Sequence, residues 1–185
     1  MIVRFRFAFS ILCVVLLGLL APSVLRADNI VTNGDFSASG ANWIFTPAAS
    51  GSDFHFDVGD AAFGGVSAGS YDTISQVLTT DPGVDYTLTF SLQNATGTSD
   101  ADFQALWNGA GVLDVPGTSS FGYTTFTVDV IGTGSDTLGF EGYQVPSWYN
   151  LTNVDVEATP EPSSLLLLGS GLAVLGGLVR RKLRA

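Results

Sequence analysis

Between Asp28 and Ala158 the chain has no lysine and no arginine. All seven cationic side chains lie outside that stretch: Arg4, Arg6 and Arg26 before it, and Arg180, Arg181, Lys182 and Arg184 after it. The stretch holds fourteen aspartates and two glutamates (Glu141 and Glu157), a formal charge of −16 against −10 for all 185 residues. A surface without cations cannot neutralise phosphates, so nucleic acids and other polyanions are excluded as partners. Cysteine is nearly absent too. Cys13 is the only one, and the export reading below removes it, which leaves no disulfide to stabilise the exported chain. Ile11 and Leu12 are too bulky in front of it for a lipoprotein site. The chain has one histidine, His55, and no nucleophile–base constellation is singled out around it. So many aspartates make chance carboxylate pairs inevitable, and none stands out for glycoside hydrolysis. Phe63-Gly64-Gly65 lacks the lysine of a phosphate loop and reads as a flexible turn. No catalytic residue is assigned, and no catalysis is expected.

What is present begins at the ends. Residues 1–27 read as a secretory signal peptide: Arg4 and Arg6 precede an apolar run from Phe7 to Leu20, and Pro22 ends it. Cleavage after Ser23 satisfies the small-x-small rule, whereas cleavage after Ala27 frees the polar Asp28-Asn29 and is preferred. At the other end stand Pro160-Glu161-Pro162, an apolar span over about residues 163–179 and a basic tail at 180–185. Leu165 to Val179 cover only about 22 Å as a helix, short of a hydrocarbon core of about 30 Å, which suits a transient anchor. The prolines keep the motif extended and out of the helix. Motif, short glycine-rich span and basic tail in this order resemble the PEP-CTERM sorting signal. The resemblance covers residues 159–185. It implies a Gram-negative bacterium with an exosortase-type processing enzyme that recognises Pro160, Glu161 and Pro162. It also implies a transient stay in the inner membrane through the C-terminal helix, then the cell surface or extracellular matrix.

Residues 28–158 alternate with period two. From Tyr86 to Gln93 every even position is apolar and every odd one polar, the pattern of a half-buried strand. Phe103-Ala105-Trp107, Phe126-Val128-Val130, Leu138-Phe140 and Val154-Val156 repeat it. Further strands are expected near 29–32, 42–45, 54–58 and 73–78. Asp81-Pro82-Gly83, Asn108-Gly109 and Gly132-Thr133-Gly134 supply turns, and no segment has convincing helical periodicity. Eight to ten short strands predict an all-β domain, a two-sheet antiparallel β-sandwich of jelly-roll type.

Ile30 to Phe36 with Trp43, Ile74 to Leu88, Phe103 to Gly109 and Tyr149 to Val156 resemble, in order and spacing, the carbohydrate-binding, galactose-binding-like jelly rolls. That resemblance implies a glycan-binding module, with exopolysaccharide or another glycan as partner. Sugar recognition needs aromatic faces and amide or carboxylate groups, and the candidates are Trp148, Tyr149, Gln104, Trp107 and Asn108, with Gln144 beside them. Trp107 shares parity with Phe103, which favours the core, and so does the place of Trp43. No cofactor is expected beyond the structural calcium that the resemblance implies between first and last strands. Ser37 occupies its first acidic position and Asn153 its second, so Asp35, Asn153 and Asp155 are the candidate ligands. The alternative function is a structural matrix component without a sugar ligand, its carboxylates bridged by cations.

Overall fold

The computed structural model describes residues 28–65, 67–159 and 169–171. Residues 1–27, expected as a signal peptide, lie outside the described residues, as do Pro160, Glu161, Pro162, the basic tail, and the apolar span apart from 169–171, which are helical. Among the described residues no helix is long and apolar enough to cross a membrane.

Among the described residues ten strands follow one another: β1 (Ile44–Thr46), β2 (His55–Phe56), β3 (Ala61–Phe63), β4 (Asp72–Thr79), β5 (Asp85–Asn94), β6 (Ala101–Trp107), β7 (Ala110–Pro116), β8 (Phe121–Ile131), β9 (Ser135–Gln144) and β10 (Tyr149–Ala158). They form two five-stranded sheets, ordered β1-β4-β9-β6-β7 and β2-β3-β10-β5-β8. Every strand pair is antiparallel. The alternation in sequence is the cause. β5 buries Tyr86, Leu88, Phe90 and Leu92, while β6 buries Phe103, Ala105 and Trp107. Inner faces of the two sheets therefore meet in one core. Phe90 of the second sheet stands edge-on to Phe140 of the first at 5.1 Å between ring centroids, and Phe103 meets Phe63 at 5.3 Å. Such pairs add about 0.5–1.5 kcal/mol each beyond their buried area.

The predicted turns set the links. Asn108 and Gly109 both have positive φ (53° and 79°) and join β6 to β7 as a two-residue hairpin. At Asp81-Pro82-Gly83, proline presets the first corner and Gly83 takes φ 80°, while the Val84 N–H donates back to the Asp81 carbonyl at 3.2 Å.

Three expectations change. Residues 29–32 are not a strand: the Ile30 N–H donates to the Val156 carbonyl at 3.0 Å, but the Asn29 side chain takes the next N–H groups, of Val31 and Val156. Phe63-Gly64-Gly65 is not a flexible turn. Phe63 ends β3 inside the core, and the Gly65 N–H donates to the Gln144 carbonyl at 3.1 Å. β7 was unforeseen, because a bulge opposite Ala105/Leu106 breaks its alternation.

Candidate functional site

The candidates named from the sequence do not converge on one place. Trp107 is 7% exposed and its ring N–H donates to the Ile131 carbonyl at 3.1 Å, so it belongs to the core. Tyr149 opens β10 with its ring between the sheets and its hydroxyl donating to the Val115 carbonyl at 3.3 Å. Neither ring offers a face for stacking, since both share parity with core residues of their strands. Asn108 is occupied: its Nδ2 donates to Asp136 Oδ1 at 2.6 Å and its Oδ1 accepts from the Thr137 N–H at 2.8 Å. Gln144 is buried and donates to Asn94 Oδ1 at 2.6 Å and to the Thr96 carbonyl. Trp148, 37% exposed in the connection between β9 and β10, and the half-buried Gln104 on β6 of the first sheet remain, and they do not share a strand.

Gln104 belongs to a polar band on the outer face of the first sheet. Asp102 and Gln104 alternate with the buried Phe103 and Ala105, so they point away from the core. Register sets Asp102 opposite Tyr143 and Gln104 opposite Glu141 on β9, and Gln104 opposite Asp114 on β7. Thr73 of β4 follows on the far side of Glu141. Four strands wide, the band measures about 15 Å at about 4.8 Å per strand. Within it the Tyr71 hydroxyl donates to Asp102 Oδ2 at 2.5 Å, and Gln104 Nε2 donates to the same oxygen at 3.3 Å. The Tyr71 ring stands edge-on to Tyr143 at 5.1 Å. A Cβ on Gly111 would lie 3.2 Å from Gln104 Oε1, so a glycine there leaves the amide its place.

The electrostatics follow from desolvation first and from the neighbouring Asp102 carboxylate second. Desolvation, then the hydrogen bond and charge of Asp102, hold the Tyr71 phenol well above its ordinary value, so it stays a donor. Desolvation first, then the hydrogen bond and charge of Asp102, push Asp114 up. Glu141 is raised by desolvation and by the Asp102 charge. Together these groups offer amide, phenol and carboxylate partners for hydroxyl groups. Tyr71, Asp102, Asp114, Glu141 and Tyr143 escaped the sequence reading. Parity marks Asp102 and Glu141 as outward, but only the strand pairing brings them together.

Asp136 shows the opposite environment. It accepts from Thr80 Oγ1, from Asn108 Nδ2 at 2.6 Å, and from the N–H and hydroxyl of Thr133 at 2.8 and 2.7 Å. Its carboxyl has no exposed surface. Burial alone would raise its pKa, but the four donors, Thr80 and Asn108 foremost, outweigh that and hold it far below the usual carboxylate range. The same oxygens tie the end of β4, the β6–β7 turn and the β8–β9 loop together.

The candidate calcium ligands Asp35, Asn153 and Asp155 lie about the Gly34 turn and β10. The turn at Gly34 does meet β10, where the Val154 N–H donates to the Gly34 carbonyl at 2.9 Å, beside Asn153 at φ 51°. Asp35 Oδ1, however, accepts from the Ser37 N–H and hydroxyl at 3.1 and 2.9 Å, which lowers its pKa within its own loop. Among the described residues, no group of three or more His, Cys, Asp or Glu is placed to hold a metal ion. Asp35, Asn153 and Asp155 would supply part of the six to eight oxygens that calcium takes, with backbone carbonyls needed for the rest.

With this geometry in view, the comparisons place the chain. Residues 158–182 match the family model described as the PEP-CTERM protein-sorting motif, so the chain carries that sorting signal and is marked for export towards the surface. No curated protein matches the chain. The sandwich is similar to the enzymatically active domain of tailspike protein 4 of bacteriophage CBA120, at 14% identity over 71% of this chain and 21% of that one, TM-score 0.56. It is similar to a structure titled "CBM4 structure and function", at 17% identity over 70% of this chain and 99% of that one, TM-score 0.52. TmCBM61, solved in complex with beta-1,4-galactotriose, matches at 12% identity over 73% of this chain and 100% of that one, TM-score 0.50. The chain thus spans about a fifth of the tailspike domain and nearly all of the two modules. At these identities the likeness establishes the fold, a sandwich of the kind carbohydrate-binding modules use.

Proposed function

We propose that the sandwich is a non-catalytic glycan-binding module delivered to the cell surface or extracellular matrix, and that the Gln104 band is its binding face. One observation carries the reading: Tyr71, Gln104 and three carboxylates stand together on an outward sheet face of a domain whose residues 28–158 include no Lys or Arg. Hydroxyl groups of a neutral polysaccharide suit such acceptors, whereas an anionic chain is repelled. The fold supports the reading, since the sandwich matches two carbohydrate-binding modules over nearly their whole length. An exosortase-type enzyme cuts near Pro160-Glu161-Pro162 in this scheme, after the apolar span has held the precursor briefly in the inner membrane.

Calorimetric titration of the full chain, kept in detergent, with mixed-linkage β-glucan, xylan, galactan and mannan tests this. At least one binds, and Gln104→Ala weakens or removes a binding event by about tenfold, the equivalent of about 1.4 kcal/mol. An isotherm identical to wild type assigns binding elsewhere. The charge of −16 favours a second reading, a matrix component whose carboxylates are bridged by cations. In that case calcium drives self-association and no polysaccharide binds.

A further inference from the structure

The outer face of the second sheet carries another cluster that the Gln104 band leaves unused. Register lines up His55, Ala62, Asn150 and Gln93 in one row across β2, β3, β10 and β5. Ala62, Asn150 and Gln93 each stand between residues buried in the interior, so they point outward. Next to Gln93 the row reaches β8 at the register shift between Leu92 and Asn94, where Tyr123 stands. Tyr123 is 51% exposed, yet its hydroxyl donates to Asp60 Oδ2 at 3.2 Å and is hydrogen-bonded to Asn150. β5 separates β8 from β10, so a ring tethered at that end lies across the surface of β5 and does not stand off into solvent. At the other end Trp148 is also tethered. Its Nε1 donates to the Asp53 carbonyl at 3.1 Å, and its ring meets His55 edge-on at 5.9 Å. A Cβ on Gly64 would come within 2.5 Å of that nitrogen, so glycine is what lets the indole settle there.

Two open, immobilised rings flank a pair of amides, with Ala62 (3% exposed) covered beneath the row. A ring fixed before binding loses little rotamer entropy when a ligand stacks on it. No Lys or Arg lies anywhere in the domain to draw an anion, so the chemistry fits a neutral, polyhydroxylated chain. We propose that this face is a second glycan-binding surface, on which Tyr123 and Trp148 stack sugar rings while Asn150 and Gln93 bond hydroxyl groups between them. The row spans about 15–20 Å at about 4.8 Å per strand, the reach of a short oligosaccharide. It rests on the glycan-binding reading above and adds a second valence on the opposite side of the sandwich, so that one molecule joins two polysaccharide strands.

The experiment titrates the full chain in detergent with mixed-linkage β-glucan, xylan, galactan and mannan, and follows cross-linking of the bound polysaccharide by turbidity. Wild type shows two binding events and cross-links. Tyr123→Ala removes one event or weakens it at least tenfold, and cross-linking is lost. Gln104→Ala affects the other event. Tyr123→Phe keeps the ring and retains binding within a few-fold, which separates stacking from the loss of the hydroxyl. A thermal melt of each variant confirms that the fold persists. Wild-type stoichiometry, affinity and cross-linking in Tyr123→Ala overturn this proposal and leave the glycan reading standing. Failure of wild type to bind any of the four overturns the glycan reading itself.

Discussion

Two carboxylate environments in one cation-free domain show how context divides the labour of a single residue type. Asp136 is enclosed and answered by four donors, and it works as a strut between three loops. Asp102, Asp114 and Glu141 share an outward face with few donors; desolvation, then the Asp102 charge, makes Asp114 and Glu141 hold protons more readily, and the group has acceptor capacity left over. A carboxylate saturated by its own chain stabilises the fold, and one left short of donors is available to a ligand.

The largest effect that sharpens this contrast is expected at Asp136. Asp136→Ala strands Thr80, Asn108 and Thr133 without their acceptor, at a cost of about 3 kcal/mol. In a domain of this size that lowers the melting midpoint by about 10 °C. Asp114→Asn, by contrast, leaves the midpoint unchanged or slightly higher. Equal losses from both changes, measured by thermal melts of the full chain, would erase the distinction.

Next in size is binding. Tyr71→Phe removes the phenol that orders Asp102, and affinity for a neutral polysaccharide drops several-fold while the melt stays close to wild type. Calorimetry beside a melt reads both, and a loss of stability without a loss of affinity would make Tyr71 structural.

The pH response is smaller and has two limbs. Asp114 and Glu141 have raised folded-state pKa values, so their ionised forms oppose folding. Stability therefore rises as pH falls from neutral through their raised values towards 3.8 and 4.5. Asp136 has a depressed folded-state pKa, so its contribution is complete above 3.8 and is lost as pH falls below it. Melts across this range should show a shallow maximum on the acid side of neutrality, and in Asp114→Asn/Glu141→Gln the rising limb shrinks to the part that Asp60, raised by desolvation, still supplies. A midpoint that falls steadily from pH 7 would show that donors outweigh crowding throughout the domain.

Much of the sandwich was legible because alternation reports burial directly: the even positions of β5 and β6's Phe103, Ala105 and Trp107 went where parity sent them. β3 escaped because Ala61, Ala62 and Phe63 are all buried, two in the core and one beneath the outer row, so no alternation shows. Tyr149 could have been placed in the core from its parity with Leu151. The Gln104 band was half legible. Outward parity was visible for Gln104, yet its partners Asp102, Glu141 and Asp114 come from three strands whose order, β9-β6-β7, only the folded chain reveals.

The most direct measurement is retention of the full chain on immobilised neutral polysaccharides from low to high salt. Hydrogen bonding and stacking on uncharged sugars predict retention on at least one of them, little changed by salt and by chelators, because no phosphate-like charge or bridging cation takes part. Absence of retention on every neutral polysaccharide, or retention that vanishes when divalent cations are removed, would contradict it.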